Sequence, residues 1–136
     1  MTAGYSGTPL AKKLGIKDGM TVAAIDAPDN YADLVGPLSE SVVVVFEAAA
    51  GPDIIHLFTN SRDRLFRGLA EARSQIKQEG SIWVSWYKKS AKLPTEITED
   101  TIRDAALPLG LVDVKVCAVD DKWSGLKLVI RRENRI

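Results

Sequence analysis

Short apolar segments alternate with helix-like segments along most of this chain, and this order limits the folds that the chain can adopt. Strands that alternate with helices indicate a mostly parallel sheet with helices on both faces. The last two strands are joined by only six residues, Asp120–Gly125, which is too short for a parallel crossover and predicts an antiparallel hairpin. We therefore predict a three-layer, Rossmann-like α/β sandwich whose mostly parallel sheet of about six strands ends in that hairpin.

Local signals set the bounds of the predicted elements. A Thr8 N-cap and Pro9 begin a short helix that Gly15 ends, and a Thr98 N-cap begins another helix. Residues 1–8 are expected to be irregular, and residues 1–136 to form a single domain. The predicted strands are Met20–Ala27, Ser41–Glu47, Asp53–Phe58, the segment that begins at Ser81, Leu111–Val119 and Leu126–Arg132; the predicted helices are Leu10–Leu14, Tyr31–Val35, Arg62–Gln78 and the segment that follows Thr98.

Four consecutive valines, Val42–Val45, dominate the second strand. A continuous apolar run of this kind predicts a strand that is covered on both faces, as in parallel sheets. An alternative is that this strand, or the final strand, is a free sheet edge that pairs with a second copy of the chain. A homo-oligomer is therefore one of the arrangements that the sequence allows.

Composition excludes several classes of protein. The 18 basic residues balance the 18 acidic residues, so net charge gives no reason to expect nucleic-acid binding. Cys117 is the only cysteine and His56 the only histidine, which rules out an internal disulfide and a Cys/His zinc site within this sequence. Because the first residues lack a basic and apolar leader, and the apolar runs are too short to span a bilayer, we expect a cytoplasmic protein with no membrane segment.

Polar and charged side chains follow three of the predicted parallel strands. Ligands of open α/β sheets bind outside the carboxyl ends of the strands, so this rim is where we expect a site. Two lysines, an arginine and the N-terminus of the helix at Arg62 favour a phosphate, a sulfate or a carboxylate. The alternative is that these loops are merely solvated. The candidate ligand-binding residues are Asp29, Asn30, Tyr31, Ser61, Arg62, Trp86, Lys88, Lys89 and Ser90.

The turn after the first strand does not carry a nucleotide signature. A dinucleotide or S-adenosylmethionine site needs a Gly-x-Gly pattern there, because glycine lets the backbone approach the ligand closely. This turn, Asp26–Tyr31, contains no glycine, and Glu47 is only a weak counterpart of the acidic residue expected after the next strand. No cofactor can be assigned on these grounds, and the catalytic residues are unknown.

Three further residues have a structural and a functional interpretation. Cys117 alternates with apolar residues in a strand, which favours a packed thiol, although Lys115 on the same face could lower its pKa. His56 lies in mid-strand, where a partly buried imidazole is expected rather than a general base. Trp123, which begins the turn segment Trp123-Ser124-Gly125, either packs back on the domain or forms an interaction surface with Ser124 and Gly125.

Three motifs carry a family resemblance: Leu14-Gly15-Ile16 followed by Gly19-Met20, then Gly80-Ser81-Ile82-Trp83, and finally Trp123-Ser124-Gly125-Leu126. With them the chain is similar to a bacterial family known only as domain of unknown function 3052. The resemblance implies a small cytoplasmic α/β protein without an established activity, in which Lys88-Lys89-Ser90 and Trp123-Ser124-Gly125 matter. Relatives often carry Trp-Pro-Lys-Lys where this chain has Trp86-Tyr87-Lys88-Lys89, so Tyr87 departs from the pattern. The predicted topology is also similar to the second half of class I methyltransferases.

Three functions are consistent with these features. The first is a binding module for a small anionic ligand or a protein partner, with charge from Arg62, Lys88 and Lys89, hydrogen bonds from Asn30, Ser61 and Ser90, and an apolar wall of Tyr31 and Trp86. The second is a degenerate methyltransferase with Asp29 or Tyr31 as base and Glu47 on a ribose. Its missing glycines count against it, as does a length of about two-thirds of the roughly 200 residues expected for that fold. The third is an oligomeric structural protein.

Overall fold

The computed structural model describes residues 9–47 and 49–135 of the chain. It contains one six-stranded sheet and, within the described ranges, four α-helices. The predicted irregular segment 1–8, including the Thr8 N-cap, lies outside the described residues. The strands are β1 (Thr21–Ile25), β2 (Val43–Val45), β3 (Ile54–Phe58), β4 (Ser81–Tyr87), β5 (Leu111–Ala118) and β6 (Trp123–Ile130); the helices are α1 (Leu10–Leu14), α2 (Tyr31–Val35), α3 (Arg62–Gln75) and α4 (Glu99–Ala106).

The strand order is β2-β1-β3-β4-β6-β5. The first four of these strands are parallel, and β6 pairs antiparallel with both β4 and β5. One apolar core lies between the sheet and helices α3 and α4, and a second lies between the opposite face and helices α1 and α2. The predicted three-layer Rossmann-like sandwich, with a mostly parallel sheet that ends in an antiparallel hairpin, is confirmed. Within the described residues, no helix combines the length and the hydropathy needed to cross a bilayer.

Capping residues determine where the two long helices begin. The Ser61 hydroxyl accepts a hydrogen bond from the Arg64 N–H group at the start of α3, and Thr98 and Thr101 form a reciprocal capping box at the start of α4. The prediction that α3 extends to Gln78 is wrong, because Ile76 adopts an extended conformation and turns its side chain into the core. The α4 helix ends before Pro108, as the ring of that residue requires.

Strand β2 is a sheet edge, so the prediction that the valine segment is covered on both faces is wrong. Only Val43–Val45 pair with β1, and Val43 and Phe46 are 51% and 59% exposed. A run of valines favours extended backbone wherever it lies, whereas its burial depends on the neighbours that the strand acquires in the sheet. Of the two suggested edges, the valine strand is therefore one, whereas the final strand is not, because β6 is hydrogen-bonded on both sides and β5 is outermost.

A bulge at Val114 interrupts the pairing of β5 with β6. Asp113 pairs with Leu128 and Lys115 pairs with the next residue, Lys127, so Val114 has no partner in the register. Successive pairs of a ladder point to opposite faces, and Asp113 therefore faces α4 while Lys115 faces α1. A regular strand would instead place these two side chains on one face.

The turn before β6 is shorter than predicted. The Asp120 carboxylate accepts hydrogen bonds from the N–H groups of Lys122 and Trp123, at 2.8 and 2.7 Å. These two bonds tighten the turn, so that β6 begins at Trp123 rather than at Leu126.

Candidate functional site

A cavity of about 680 Å³ opens beyond the carboxyl end of β4, on the face of the sheet that α4 covers. Its walls come from the end of β4, the connection that follows, the first turns of α4 and one residue of β6. Its lining residues include Trp86, Lys88, Lys89, Thr95, Arg103 and Ser124. Three of the predicted site residues, Trp86, Lys88 and Lys89, therefore line one cavity.

Backbone hydrogen bonds hold the lysine segment in place. The Tyr87 N–H group donates to Asn60 Oδ1 at 2.8 Å, and the Lys88 N–H group donates to the Lys122 carbonyl at 2.9 Å. Lys89–Ala91 then form a 3₁₀ turn. Lys88 is half-buried and Lys89 exposed, and no salt bridge involves either residue within the described part of the chain.

Among the described residues, the opposite wall of the cavity carries a single cation, Arg103, which is shared among carboxylates, so the net charge of this wall is negative. Arg103 forms ion pairs with Asp113 at 3.1 Å and with Glu99 and Asp100 at 3.0 Å. The hydrogen bond to Asp113, more than the other contacts, raises the pKa of Arg103. Arg103 thus serves neighbouring carboxylates, and Lys88 and Lys89 are the cavity-lining cations without a salt bridge in the described residues.

The N-terminus of α3 already holds a carboxylate of the protein. The Arg62 N–H group donates to Glu96 Oε1 at 2.7 Å, and the hydroxyl of Ser61 caps the helix. The Arg62 guanidinium lies 4.5 Å from the centroid of the Phe66 ring, away from the main cavity. Ser61 and Arg62 therefore stabilise the start of α3. The helix N-terminus was predicted to attract an anionic ligand, but its Arg62 N–H group is already hydrogen-bonded to Glu96.

Tyr31 belongs to a buried network on the other face of the sheet. Its hydroxyl is hydrogen-bonded to His56 Nδ1 at 3.0 Å, and His56 Nε2 is hydrogen-bonded to the Ser85 hydroxyl at 2.7 Å. Burial raises the pKa of Tyr31 and lowers the pKa of His56 to about 3. His56 is completely buried rather than partly so, and Tyr31 stays protonated, which does not fit the role of a base.

The remaining candidates of the rim are dispersed. Asp29 and Asn30 are exposed between β1 and α2, Glu47 is exposed after β2, and Ser90 is exposed in the 3₁₀ turn outside the cavity wall. The sheet separates Tyr31, which lies in α2 on one face, from Trp86, which faces α4 on the other. The predicted single constellation is thus divided between two faces.

The segment Trp123-Ser124-Gly125 is divided in the same way. The centroid of the Trp123 ring lies 5.0 Å from the centroid of the Phe58 ring and 4.6 Å from that of the Tyr87 ring. These contacts are on the face of the sheet that carries the buried network of Tyr31, His56 and Ser85. Ser124 points to the opposite face and lines the cavity, and Gly125 is buried. Of the two interpretations of Trp123, the structure therefore supports packing onto the domain.

Cys117 is a half-buried thiol beside Gly125. Burial raises the pKa of Cys117, and this effect exceeds the opposing influence of Lys13 and Lys115. Lys115 thus lowers the pKa of this thiol, as suggested, but by less than burial raises it, and the interpretation of Cys117 as a packed thiol is the better one.

Sequence reasoning missed the second wall of the cavity. Thr95 and Arg103 lie just before and within the helix predicted after Thr98, and neither was a candidate site residue. Ser124 reaches the cavity because it pairs with Trp86 across the sheet. The Thr98 capping signal was the one local hint that a helix begins beside the lysines. No group of three histidine, cysteine, aspartate or glutamate side chains that could bind a metal occurs in residues 9–47 and 49–135.

Strand order, hairpin and rim cavity together define a Rossmann-like α/β protein with methyltransferase-like topology. Residues 11–132 match the family described as protein of unknown function DUF3052. The chain belongs to this family, as its motifs predicted. No functionally curated protein matches the chain in sequence.

Solved structures similar to this chain include S-adenosylmethionine-dependent methyltransferases. An S-adenosylmethionine-dependent methyltransferase from Aquifex aeolicus matches with a TM-score of 0.66 at 15% identity, covering 89% of this chain and 87% of that one. A putative type 11 methyltransferase from Sulfolobus solfataricus gives 0.58 at 16% identity, with 93% and 92% covered. Aeropyrum pernix fibrillarin, with natively bound S-adenosyl-L-methionine, gives 0.57 at 13% identity, with 88% and 73% covered. At such identities the likeness establishes the fold alone.

Proposed function

We propose that this protein is a binding module for a small anionic ligand, held in the cavity at the carboxyl end of β4. The observation that carries the proposal is the placement of Lys88 and Lys89, without ion pairs in the described residues, beside the Trp86 wall. A volume of about 680 Å³ lies within the range of small-molecule clefts.

Each part of the wall has a distinct task in this proposal. The two ammonium groups attract the charged group of the ligand as compact point charges. The Thr95 hydroxyl accepts a hydrogen bond from the Ile97 N–H group and keeps its own proton for donation to the ligand. The indole of Trp86, which is 7% exposed, supports an apolar portion. Arg103 reduces the repulsion that Glu99 and Asp100 would exert on an anion.

A thermal-shift screen tests this proposal with inorganic phosphate, sulfate and citrate as probes at constant ionic strength. A probe at a hundred times its Kd stabilises the protein by about 2.7 kcal/mol. We expect at least one probe to raise the Tm of the wild type, and this rise to disappear in Lys88→Gln/Lys89→Gln. The control Lys122→Gln/Arg132→Gln removes the same charge from exposed positions outside the cavity wall and should keep the response. A response that persists in the Lys88/Lys89 variant refutes the proposed site.

A methyltransferase-like enzyme is the second candidate, and the solved structures favour it. The match to the Aquifex aeolicus methyltransferase covers nearly the same share of both chains, so the two proteins are similar in length. The short length of this chain therefore no longer counts against a methyltransferase. Two features still do: the turn after β1 lacks glycine, and its first residue, Asp26, is held by Arg64 at 2.9 Å. We expect no binding of S-adenosylmethionine in calorimetry. Binding that survives in Lys88→Gln/Lys89→Gln would make the enzyme the better proposal.

A further inference from the structure

Four lysines surround one patch on the α1 face of the terminal hairpin. Lys115 of β5 and Lys127 of β6 are direct cross-strand partners. Lys13 of α1 donates a hydrogen bond to the Ala118 carbonyl of β5 at 3.3 Å. Lys17, just after α1, is close enough to Lys127 to lower its pKa. We call these residues the lysine cluster.

This arrangement is unfavourable for the folded protein alone. Like charges directly opposite each other on neighbouring strands destabilise a sheet. Burial, and then the proximity of Lys115 and Lys17, lowers the pKa of Lys127. The Lys115 ammonium lies 5.9 Å from the centroid of the Trp83 ring, which compensates only weakly. No salt bridge within the described residues involves Lys17, Lys115 or Lys127.

The bulge at Val114 is what leaves the cluster without a carboxylate from its own strand. A regular strand would place Asp113 on the same face as Lys115, where it could neutralise the pair. The bulge instead turns Asp113 to the α4 face, where Arg103 binds it at 3.1 Å. Bulges commonly redirect a side chain next to a functional site. A chain without net charge thus concentrates positive charge on one small surface.

We propose that the lysine cluster binds a compact polyphosphate, that is, a ligand with at least two adjacent phosphoryl groups. Directly opposite residues of an antiparallel pair have Cβ atoms about 5 Å apart, so Lys115 and Lys127 can contact neighbouring oxygens of one ligand. Lysines bind phosphate as point charges, and Trp83 is fully buried and offers no face for a base to stack on. The interaction is therefore electrostatic and independent of any attached nucleoside.

This site is separate from the cavity proposed above. The cavity lies on the α4 face of the sheet and the lysine cluster on the α1 face, with no lining residue in common. The two proposals can therefore fail independently, and a pair of charge-matched variants distinguishes them.

Isothermal titration with inorganic tripolyphosphate tests the inference. We expect the wild type to bind, and Lys115→Gln/Lys127→Gln to bind about tenfold more weakly or not at all, which corresponds to the loss of charge-assisted contacts. Lys88→Gln/Lys89→Gln removes the same charge from the other face and should bind like the wild type. Affinity should fall as salt is added, because salt screens the attraction between the lysines and the phosphoryl oxygens. Absence of binding by the wild type, or unchanged binding by Lys115→Gln/Lys127→Gln, overturns the inference.

Two further measurements exclude trivial explanations. Hexaglutamate, which presents carboxylates instead of phosphoryl groups, should bind more weakly than tripolyphosphate, and equal binding contradicts the phosphoryl preference. Without ligand, Lys115→Gln/Lys127→Gln should melt at a higher temperature than the wild type, because the like-charge pair is gone. A variant that is more stable and yet does not bind cannot have lost binding through misfolding.

Discussion

Glu96 Oε1 accepts a hydrogen bond from the backbone N–H group of Arg62 at 2.7 Å, which places a carboxylate of the protein at the N-terminus of α3. The Glu96 N–H group in turn donates to the Asn60 carbonyl at 2.9 Å, so the connection before α4 is anchored to the start of α3. A negative charge at this end of a helix is favoured by the helix dipole and by the unpaired N–H groups there.

Replacement of Glu96 should therefore destabilise the protein. We expect Glu96→Ala to lower the free energy of unfolding by about 0.5–1 kcal/mol, since an exposed carboxylate at a helix N-terminus contributes about that much. Urea unfolding followed by circular dichroism measures the difference. Glu79→Ala, at an exposed glutamate before β4, is the control and should have no effect. Equal stabilities of Glu96→Ala and wild type would show that the contact is energetically unimportant.

The buried imidazole of His56 predicts how stability depends on pH. The pKa of His56 is about 3 in the folded protein and near 6.5 when unfolded, so below about pH 6.5 the unfolded chain binds a proton that the folded chain does not. Stability is fully present above that pH and should fall by about 1.4 kcal/mol per pH unit as the pH drops towards 3. Urea unfolding at several pH values measures this slope.

A His56→Gln variant isolates the contribution of this residue from that of the carboxylates. It should be less stable than the wild type at neutral pH, but its stability should fall less steeply on acidification, by the equivalent of one proton. Parallel slopes for the two proteins would mean that His56 is not buried in its neutral form.

The hydroxyl of Tyr31 should stabilise the fold through its bond to His56. Tyr31→Phe removes the hydroxyl and leaves His56 Nδ1 without a buried partner, so we expect a loss of about 1–3 kcal/mol in the free energy of unfolding. Because the phenylalanine variant keeps His56 itself, its pH slope should match that of the wild type. Tyr87→Phe, at a half-buried tyrosine on β4, serves as the matched control. A loss no larger than that of Tyr87→Phe would contradict the assigned network.

Two glycines with close neighbours should respond differently to alanine. A Cβ atom at Gly125 would lie 3.3 Å from both Trp83 Cε3 and Val119 Cγ2. Trp83 is fully buried and held through its indole N–H group, which donates to the Leu14 carbonyl at 3.2 Å, so it cannot move aside. We expect Gly125→Ala to cost about 1–3 kcal/mol, the range for an overpacked core.

Gly68 in α3 provides the comparison. A Cβ atom there would lie 3.1 Å from Leu57 Cδ2, the mobile end of a leucine, and alanine favours a helix by about 1 kcal/mol over glycine. Gly68→Ala should therefore lower the melting temperature much less than Gly125→Ala, or raise it. The reverse order would show that Trp83 has more freedom than its contacts imply.

Local signals in the sequence were sufficient for most of the fold. Thr98 and Gly15 mark helix ends by backbone chemistry that depends on a few neighbouring residues, and the elements at those positions are confirmed. The short turn before β6 made the hairpin predictable for the same reason. By contrast, the exposure of Val43 depends on the order of the strands, which no local pattern encodes.

The candidate site was harder to predict because it depends on register and on face. Trp86 and Ser124 share a cavity only because they are paired across β4 and β6, and Tyr31 is separated from Trp86 by the sheet itself. Glu96 occupies the start of α3 from a loop 34 positions away in the sequence. Contacts of this range are fixed by packing of the whole domain, so the sequence indicated the rim but not the grouping of its residues.

The bulge at Val114 also bears on how the protein meets other copies of itself. A regular outer strand presents an uninterrupted row of N–H and C=O groups that a second chain can extend, whereas a bulge breaks that row and twists the strand. The opposite edge, β2, is only three residues long. Growth of the sheet from either side is thus disfavoured, and we expect deletion of Val114 to convert β5 into an edge on which chains assemble.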